Sequence, residues 1–196
     1  MNIFLETERL ILRQFTPADV ENLVSLDSDP EVMRFINGGT PTPIEVIQNQ
    51  MLPRILGYYA KYPHFGLWAT HEKANQQFIG WFHLFPAIES QFAVDLNLAT
   101  PEEIALGYRL RRSVWGKGYG TEGSKALIHK GFSALQVQQI SSWALAENKA
   151  SIRVMQKAGL QFERAFSFTE EQLPHLTDKQ RQAVKYSVVK YSGDRP

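Results

Sequence analysis

The alternation of apolar and polar residues along the chain predicts a mixed α/β fold. Short β-branched and apolar runs with a period of two indicate strands, and apolar residues three or four positions apart indicate helices. Strands are predicted at residues 9–15, 66–70, 78–85, 104–111, 139–145, 162–168 and 184–191. Helices are predicted from Pro17, after Asp29-Pro30, over 43–59 with a kink near Pro53, from the glycine-rich segment to about Ala134, and from Asn148 to Gly159.

Local signals support several of these boundaries. Thr16 is expected to cap the first helix, with Pro17 at its first position, and Gly159 suits the left-handed residue that ends a helix. Two segments stay ambiguous: residues 86–101 fit a short strand around 92–96 or a loop, and residues 172–182 fit a helix or an insertion loop. The buried face of the second helix is expected to consist of Val32, Met33 and Ile36.

The composition of the chain limits the classes of protein to which it can belong. A chain of 196 residues with 43% hydrophobic residues can bury one sizeable core, so residues 1–196 are expected to form a single domain. A formal net charge of +1 argues against nucleic-acid or membrane binding driven by bulk charge. No apolar run approaches membrane-spanning length and the start of the chain is charged, so a cytoplasmic location is expected.

The chain has no cysteine, which further restricts its chemistry. A disulfide, a thiolate metal site and a cysteine nucleophile are therefore excluded, and no metal is expected. Any group transfer would have to proceed without an acyl-cysteine intermediate.

The glycine-rich segment from Trp115 to Glu122 lies between a predicted strand and a predicted helix. A strand, a glycine loop and a helix in this order present backbone N–H groups to a phosphate, and the positive end of the helix dipole faces the same anion. Gly116, Gly118 and Gly120 remove side chains that would hold the anion away. The segment therefore predicts binding of a phosphorylated cofactor.

Other glycine-rich phosphate sites fit this segment less well. Gly118, Gly120 and Gly123 match the dinucleotide pattern G-x-G-x-x-G, and Glu147 follows the next strand as a possible ribose acceptor. However, Arg112 to Gly116 intervene between the strand and the first glycine of the pattern, and little chain remains after Glu147 to complete a doubly wound sheet. A P-loop needs Ser or Thr after its lysine, and the kinase motifs H-R-D and D-F-G are absent. A nucleotide-dependent oxidoreductase remains the weaker alternative.

Four separated blocks together carry a more specific resemblance. They are ERLILR at 8–13, LGYRL at 106–110, WGKGYGTE at 115–122 and NKASIRVMQKAGL at 148–160. In this order they resemble the GNAT superfamily of acyl-CoA-dependent N-acetyltransferases, and most of all the branch with the Rim-type ribosomal-protein N-terminal acetyltransferases. The resemblance runs from Glu8 to Tyr191. It implies one twisted mixed sheet with helices on both faces, and a splayed strand pair that admits the pantetheine arm of acetyl-CoA.

The resemblance also implies which residues contact acetyl-CoA. These are Leu110, Arg111, Arg112, Trp115, Gly116, Lys117, Gly118, Tyr119, Gly120, Thr121, Asn148 and Ser151. The open edge of the strand that ends at Leu110 would pair with the amides of pantetheine. Trp115 departs from the Gln or Arg that is usual at its position. The arginines also fit solvated surface charges, and Asn148 also fits a plain helix cap.

The catalytic residues are less well defined, because two family positions are altered. The usual glutamate before the Gly-Tyr pair is Ala105 here, so Glu103 is the preferred general base. The usual tyrosine seven residues after the motif asparagine is Met155, so Ser151 is the preferred proton donor to the leaving thiolate. Alternative bases are Glu102, Asp95 and His83, and weaker donors are Tyr108 and Tyr119.

The resemblance predicts direct transfer of an acetyl group from acetyl-CoA to a primary amine, on a protein N-terminus or a small molecule. The altered positions leave a second hypothesis open, that of a non-catalytic acyl-CoA-binding sensor. A homodimer formed through edge strands is possible. Five residues fit either the acceptor side or the core: Phe35, Tyr58, Tyr59, His64 and Trp81.

Overall fold

The computed structural model describes residues 2–190 and confirms the mixed α/β class. The strands are β1 (Ile3–Glu6), β2 (Leu10–Gln14), β3 (Gly66–Glu72), β4 (Phe78–Pro86), β5 (Glu103–Leu110), β6 (Gln139–Leu145), β7 (Gln161–Ser167) and β8 (Gln182–Val189). They form one sheet in the order β1-β2-β3-β4-β5-β6-β8-β7. Tyr191, the predicted end of the last strand, lies outside the described residues.

Seven α-helices are found among the described residues. They are α1 (Val20–Asp27), α2 (Pro30–Asn37), α3 (Ile44–Val46), α4 (Leu52–Lys61), α5 (Gln91–Asp95), α6 (Tyr119–Ser133) and α7 (Lys149–Lys157). None of the helices within residues 2–190 is both long and apolar enough to cross a membrane.

The described residues group into two compact units. The first comprises residues 2–83 and 108–123, and its core includes Leu10, Leu12, Leu23, Trp68 and Phe82, all almost inaccessible to solvent. The second comprises residues 84–107 and 124–190, and its core includes Leu84, Leu98, Leu127, Ile140 and Leu160. That the whole of residues 1–196 is one domain stays a prediction.

The strand pair next to the glycine loop has the short pairing that a splayed pair requires. β5 and β6 run parallel, and Glu103, Ile104 and Ala105 pair with Gln139, Ile140 and Ser141. Both strands continue beyond this pairing, β5 to Leu110 and β6 to Leu145. On its other side β6 pairs with β8 along its whole length.

Two sequence predictions about the helices need correction or refinement. Ile36 is 46% exposed, although Val32 and Met33 of the same helix are buried as predicted. The helix ends one residue later and Gly38 is left-handed (φ 79°), so the last turn is left uncovered. The break predicted near Pro53 is a π-helical turn, Ile47–Met51, that joins α3 to α4. A proline without an N–H favours such a change of hydrogen-bond pattern.

Other segments were mistaken or missed in the sequence. The strand predicted around 92–96 is wrong, because this segment forms the short helix α5. Residues 172–181 consist of turns, so the loop alternative is confirmed there. β1 was missed entirely; it pairs antiparallel with β2, with Ile3 opposite Arg13. An edge strand of four residues has too short a pattern to be detected by periodicity.

Close packing of α6 on β4 depends on Gly123. A Cβ atom at this position would lie 2.3 Å from Cζ and 2.7 Å from both Cε atoms of the Phe82 ring. Phe82 is fully buried, so its ring has nowhere to move. The third glycine of the G-x-G-x-x-G match therefore serves helix packing, whatever the loop before it binds.

We predict that Gly123→Ala lowers the free energy of unfolding by about 1–3 kcal/mol through overpacking. Gly57→Ala in α4 is the matched control, because a Cβ there meets nothing within 4 Å. The control should stabilise the protein by about 0.5–1 kcal/mol through helix propensity. Denaturant unfolding of both variants measures the two effects, and equal stability changes would contradict the packing argument.

Candidate active site

The glycine loop of the first unit has the form that the sequence predicted. β5 ends at Leu110, a short 3₁₀ turn spans Arg112–Val114, and α6 begins at Tyr119. Gly116 and Gly118 have φ angles of 76° and 85°. These left-handed conformations strain any residue with a side chain, which explains glycine at both positions.

The loop presents a row of unused amide groups. Within residues 2–190, no backbone carbonyl accepts the N–H groups of residues 116–121. The next amide, that of Glu122, donates to the Gly118 carbonyl oxygen at 3.0 Å and starts the helical pattern. The amides before it are the donors that a helix N-terminus leaves open. Their number suits an anion with several acceptor oxygens.

Trp115 has a structural role that accounts for its departure from the family pattern. Its indole Nε1 donates to the Leu110 carbonyl oxygen at 2.8 Å, while 47% of the residue stays exposed. The Leu110 carbonyl oxygen has a second lone pair, so this bond does not exclude pairing with pantetheine, and the role of Leu110 stays a prediction. The Arg111 amide donates to the Ile79 carbonyl oxygen of β4, and backbone groups alternate along a strand, so the backbone of Leu110 faces away from β4.

The arginines that follow β5 line a small cavity in the first unit. Its volume is about 200 Å³, and its walls include Leu26, Val32, Asp29, Arg111 and Arg112. The Arg111 guanidinium lies 5.5 Å from the centre of the Phe78 ring, and its Nε has no hydrogen-bond partner among the described residues. Whether either arginine contacts the cofactor stays a prediction, as it does for Lys117 and Thr121.

In the second unit, Asn148 caps α7. Its side-chain oxygen accepts the Ser151 amide at 3.1 Å, as the cap interpretation required. Ser151 is the third residue of the helix and is partly exposed. The roles of both residues towards the cofactor stay predictions, and Gly159 takes the expected left-handed conformation at the other end (φ 99°).

Glu103, the preferred general base, lies inside a buried ion-pair network. Glu103 is 1% exposed and Lys185 is 2% exposed, and their charged atoms are 2.7 Å apart. The Lys185 ammonium also contacts Glu163 at 3.1 Å and donates to the Leu98 carbonyl at 2.7 Å. A carboxylate held by an ammonium away from solvent is poorly placed to accept a proton from an amine. The network accounts for Glu103 without a catalytic role.

The other proposed acid–base groups are also constrained. Burial and, to a lesser extent, the nearby Arg109 guanidinium lower the pKa of His83 to about 3, so the imidazole is neutral and weakly basic at pH 7. The Tyr119 hydroxyl donates to Glu72, and this bond raises the pKa of the tyrosine. The Tyr108 ring packs 5.5 Å from that of Phe82. Glu102 and Asp95 are exposed, and Asp95 accepts a bond from Gln91.

Of the five possible acceptor-side residues, Trp81 belongs to the core of the first unit, and Tyr59 is partly buried with its hydroxyl bonded to the backbone. Tyr59 donates to the Leu67 carbonyl and accepts the Phe15 amide at 2.9 Å, and burial raises the pKa of its hydroxyl to about 12. Trp81 is 8% exposed. His64 is exposed, and Phe35 and Tyr58 are partly exposed. Within residues 2–190, no group of three His, Asp or Glu side chains is placed to hold a metal ion.

Arg9 is a neighbour of the glycine loop that the sequence did not indicate. Its Nη1 donates to the Lys117 carbonyl at 3.0 Å, and its Nε donates to Glu122 at 2.6 Å. Arg9 belongs to the first of the four sequence blocks, but no local signal connects that block to a loop more than a hundred residues later.

A comparison with known families identifies the fold and the class of protein. The model of the acetyltransferase (GNAT) domain matches residues 9–161. The chain belongs to the GNAT acetyltransferase family. The predicted acyl-CoA-dependent acetyltransferase class is thereby confirmed at the level of the family, and the predicted fold with it.

Individual relatives agree with this assignment. An FsC-acetyl coenzyme A-N(2)-transacetylase of Aspergillus fumigatus is 30% identical over 157 residues, which cover 80% of this GNAT chain and 64% of that relative's length. An acetyltransferase of the GNAT family from Bacillus anthracis superposes with a TM-score of 0.74 at 22% identity, over 96% of this chain and 98% of that one. The aminoglycoside acetyltransferase AAC(6')-Ib, solved with coenzyme A, gives a TM-score of 0.71 at 20% identity, over 92% and 95%. Membership of the Rim-type branch stays a prediction.

We predict that Lys185→Met lowers the free energy of unfolding by about 3–5 kcal/mol, because it leaves the buried Glu103 carboxylate without a counter-charge. The double variant Glu103→Gln with Lys185→Met should recover most of this loss. Denaturant unfolding of the single and double variants gives the coupling between the two residues.

The same variants separate a structural from a catalytic role of Glu103. If Glu103 has only a structural role, the refolded double variant should keep its turnover number. A drop of about 10²–10⁴-fold in turnover for Glu103→Gln, with unchanged stability, would instead identify Glu103 as the general base.

Proposed function

We propose that the protein transfers an acetyl group from acetyl-CoA directly to a primary amine, and that the glycine loop holds the pyrophosphate of acetyl-CoA. The observation that carries this proposal is the row of six amides at residues 116–121 that no backbone carbonyl accepts. The loop fits a pyrophosphate because an added Cβ at Gly116 meets nothing within 4 Å, which leaves open space beside these amides. The exposed Lys117 adds a positive charge.

The β5 strand offers a path for the rest of the cofactor. The pairing of β5 with β6 ends at Ala105, and the open edge of the strand towards Leu110 can pair with a pantetheine amide as an added strand would. When bound, acetyl-CoA supplies an acyl carbon activated by its thioester. The amine nitrogen forms a bond to this carbon, the carbon–sulfur bond breaks, and the amine loses one proton while the thiolate takes one up.

The chain has few groups suited to move these protons. Ser151, at the N-terminal turn of α7, remains our candidate donor to the thiolate, which needs little help because a thiol pKa of about 8.5 makes it a good leaving group. Glu103 is ion-paired and His83 has a pKa of about 3, so neither supports strong general-base catalysis. We therefore propose an acceptor whose amine is partly neutral at pH 7.

The need for a partly neutral amine limits which acceptors are suitable. An α-amine with a pKa of about 7.7–8.0 is neutral in roughly one molecule in ten at pH 7, whereas a lysine amine near 10.4 is neutral in about one in 2,500. A protein N-terminus and a small-molecule amine of low pKa both satisfy it. The name of the aminoglycoside acetyltransferase favours small-molecule amines. A sensor that binds acyl-CoA without turnover is the alternative, favoured by Ala105 and Met155 at the altered positions.

We predict that Gly116→Ala weakens CoA binding at least tenfold, because a left-handed residue with a side chain disturbs the amide row. Gly159→Ala is the matched control, since Gly159 has φ 99° and also meets nothing within 4 Å. Both variants should lose about 1–2 kcal/mol of stability through backbone strain. Calorimetric titration with CoA should show a loss of affinity for Gly116→Ala alone.

A turnover assay, added to the CoA titration, decides between the acetyltransferase and the acyl-CoA sensor. The assay measures thiol release from acetyl-CoA in the presence of a panel of α-amines and small-molecule amines. Turnover with any of them establishes the enzyme, and CoA binding without turnover on any amine favours the sensor. If wild-type protein does not bind CoA, the proposed function is wrong.

We predict that kcat/KM rises with pH through the pKa of the acceptor amine and reaches a plateau above it. The sign follows from the neutral amine being the nucleophile. His83 should add no step near pH 6.5, because its pKa lies far below that value. Profiles of kcat/KM from pH 5.5 to 9, recorded with two acceptors whose amines have different pKa values, test this prediction. A step near 6.5 that is the same for both acceptors would point to an enzyme base instead.

A further inference from the structure

The Arg9 side chain makes three kinds of contact with the segment that carries the glycine loop. Its Nη1 donates to the Lys117 carbonyl at 3.0 Å, and its Nε and Nη2 contact one oxygen of Glu122 at 2.6 and 2.5 Å. Its guanidinium also lies 4.4 Å from the centre of the Tyr119 ring. One planar cation therefore spans the loop and the first turn of α6, as a lysine could not.

Glu122 is anchored more firmly than an exposed helix residue. Its other carboxylate oxygen accepts the Thr7 hydroxyl at 2.5 Å and the Arg9 amide at 3.0 Å. The Glu122 side chain is 18% exposed, and the pKa of its carboxyl is lowered by these bonds despite burial. The turn between β1 and β2 is thereby fastened to the start of α6.

The bond to Lys117 has a consequence for the neighbouring amide. The C=O and N–H of a trans peptide point in opposite directions, and the described chain contains no cis peptide bond. When Arg9 holds the Lys117 carbonyl, the Gly118 N–H must point away from Arg9. That N–H is one of the amides to which the proposed function assigns the pyrophosphate.

We propose that Arg9 is a positioning residue for acetyl-CoA: its guanidinium fixes the Lys117–Gly118 peptide, so that the Gly118 amide faces the pyrophosphate. This inference rests on the proposed function for its ligand, but the orientation of the peptide exists in the free protein. Glu122 and Thr7 act one step further away, by holding the guanidinium in place.

The test compares Arg9→Gln, Arg9→Lys and a surface control, Lys73→Gln. Lys73 lies just after β3 and pairs with Glu6 at 2.8 Å, and both side chains are substantially exposed, so the control removes a nearby ion pair without touching the loop. Calorimetric titrations use CoA and 3′-dephospho-CoA. We expect Arg9→Gln to weaken both ligands about tenfold, the loss that a misplaced charge-assisted contact produces. Arg9→Lys should recover little of it, and Lys73→Gln should bind as wild type does.

Three results would overturn the positioning role. Full recovery in Arg9→Lys would mean that charge alone matters. A loss with CoA but not with 3′-dephospho-CoA would mean that Arg9 contacts the 3′-phosphate directly. Wild-type binding in Arg9→Gln would show that the loop needs no support from Arg9.

A measurement without ligand keeps this test separate from the proposed function. In ¹⁵N-labelled free protein, the Gly118 amide signal should shift and its hydrogen exchange should accelerate in Arg9→Gln, while both stay at wild-type values in Lys73→Gln. An unchanged Gly118 amide would refute the positioning role even if CoA binds. A changed amide in a protein that does not bind CoA would leave Arg9 as the support of the loop and refute the proposed function alone.

Discussion

The close approach of α6 to β4 at Gly123 sets where the glycine loop can lie. The loop is the short link between β5 and α6, so its amides end up wherever the first turn of the helix is placed. At Gly123 the helix backbone rests on the Phe82 ring, and any side chain would push it outward by the length of a bond or more. A shift of that size in the first turn would displace every donor that the loop offers to an anion. The packing of α6 on β4 therefore also fixes the positions of the amide groups that the loop offers to a ligand.

A second restraint acts on the loop through charge. Arg9 and Glu122 join the β1–β2 turn to the first turn of α6, and the same guanidinium holds a carbonyl of the loop. Exposed ion pairs contribute little to stability, because water competes for both partners. The 41% exposure of the Arg9 side chain suggests that this pair matters less for folding than for geometry. Loops rich in glycine have much conformational entropy to lose, and restraining one before ligand arrives lowers the cost of binding.

The sequence predicted the parts of the fold whose signals are local. β5, α6, β6 and α7 follow from clear periodicity and from caps such as Asn148, and the glycine loop follows from its own residues. The surroundings of Glu103 and of Arg9 could not be predicted, because they depend on contacts between distant segments. Glu103 resembled a base at a strand end, but its partner Lys185 lies two strands away in the sheet and 82 positions along the chain. Arg9 was part of a recognised block, but its contact with Lys117 required the folded chain. Ile36 had the spacing of a buried residue, and only the end of the helix leaves it exposed.

The buried Glu103–Lys185 pair bears on the chemistry as well as on the fold. A general base must exchange protons with water between turnovers, and the carboxylate of Glu103 is closed off from water and neutralised by an ammonium. Ala105 removes the usual family glutamate from the same strand, so β5 carries no accessible carboxylate among its residues. With strong base catalysis removed, the rate depends on how much of the acceptor is already neutral and on how well the thioester is aligned. On the proposed function, the placement of the cofactor by the loop then matters most for the rate, and the supports of that loop are Gly123, through which α6 packs on the sheet, and Arg9 of the β1–β2 turn.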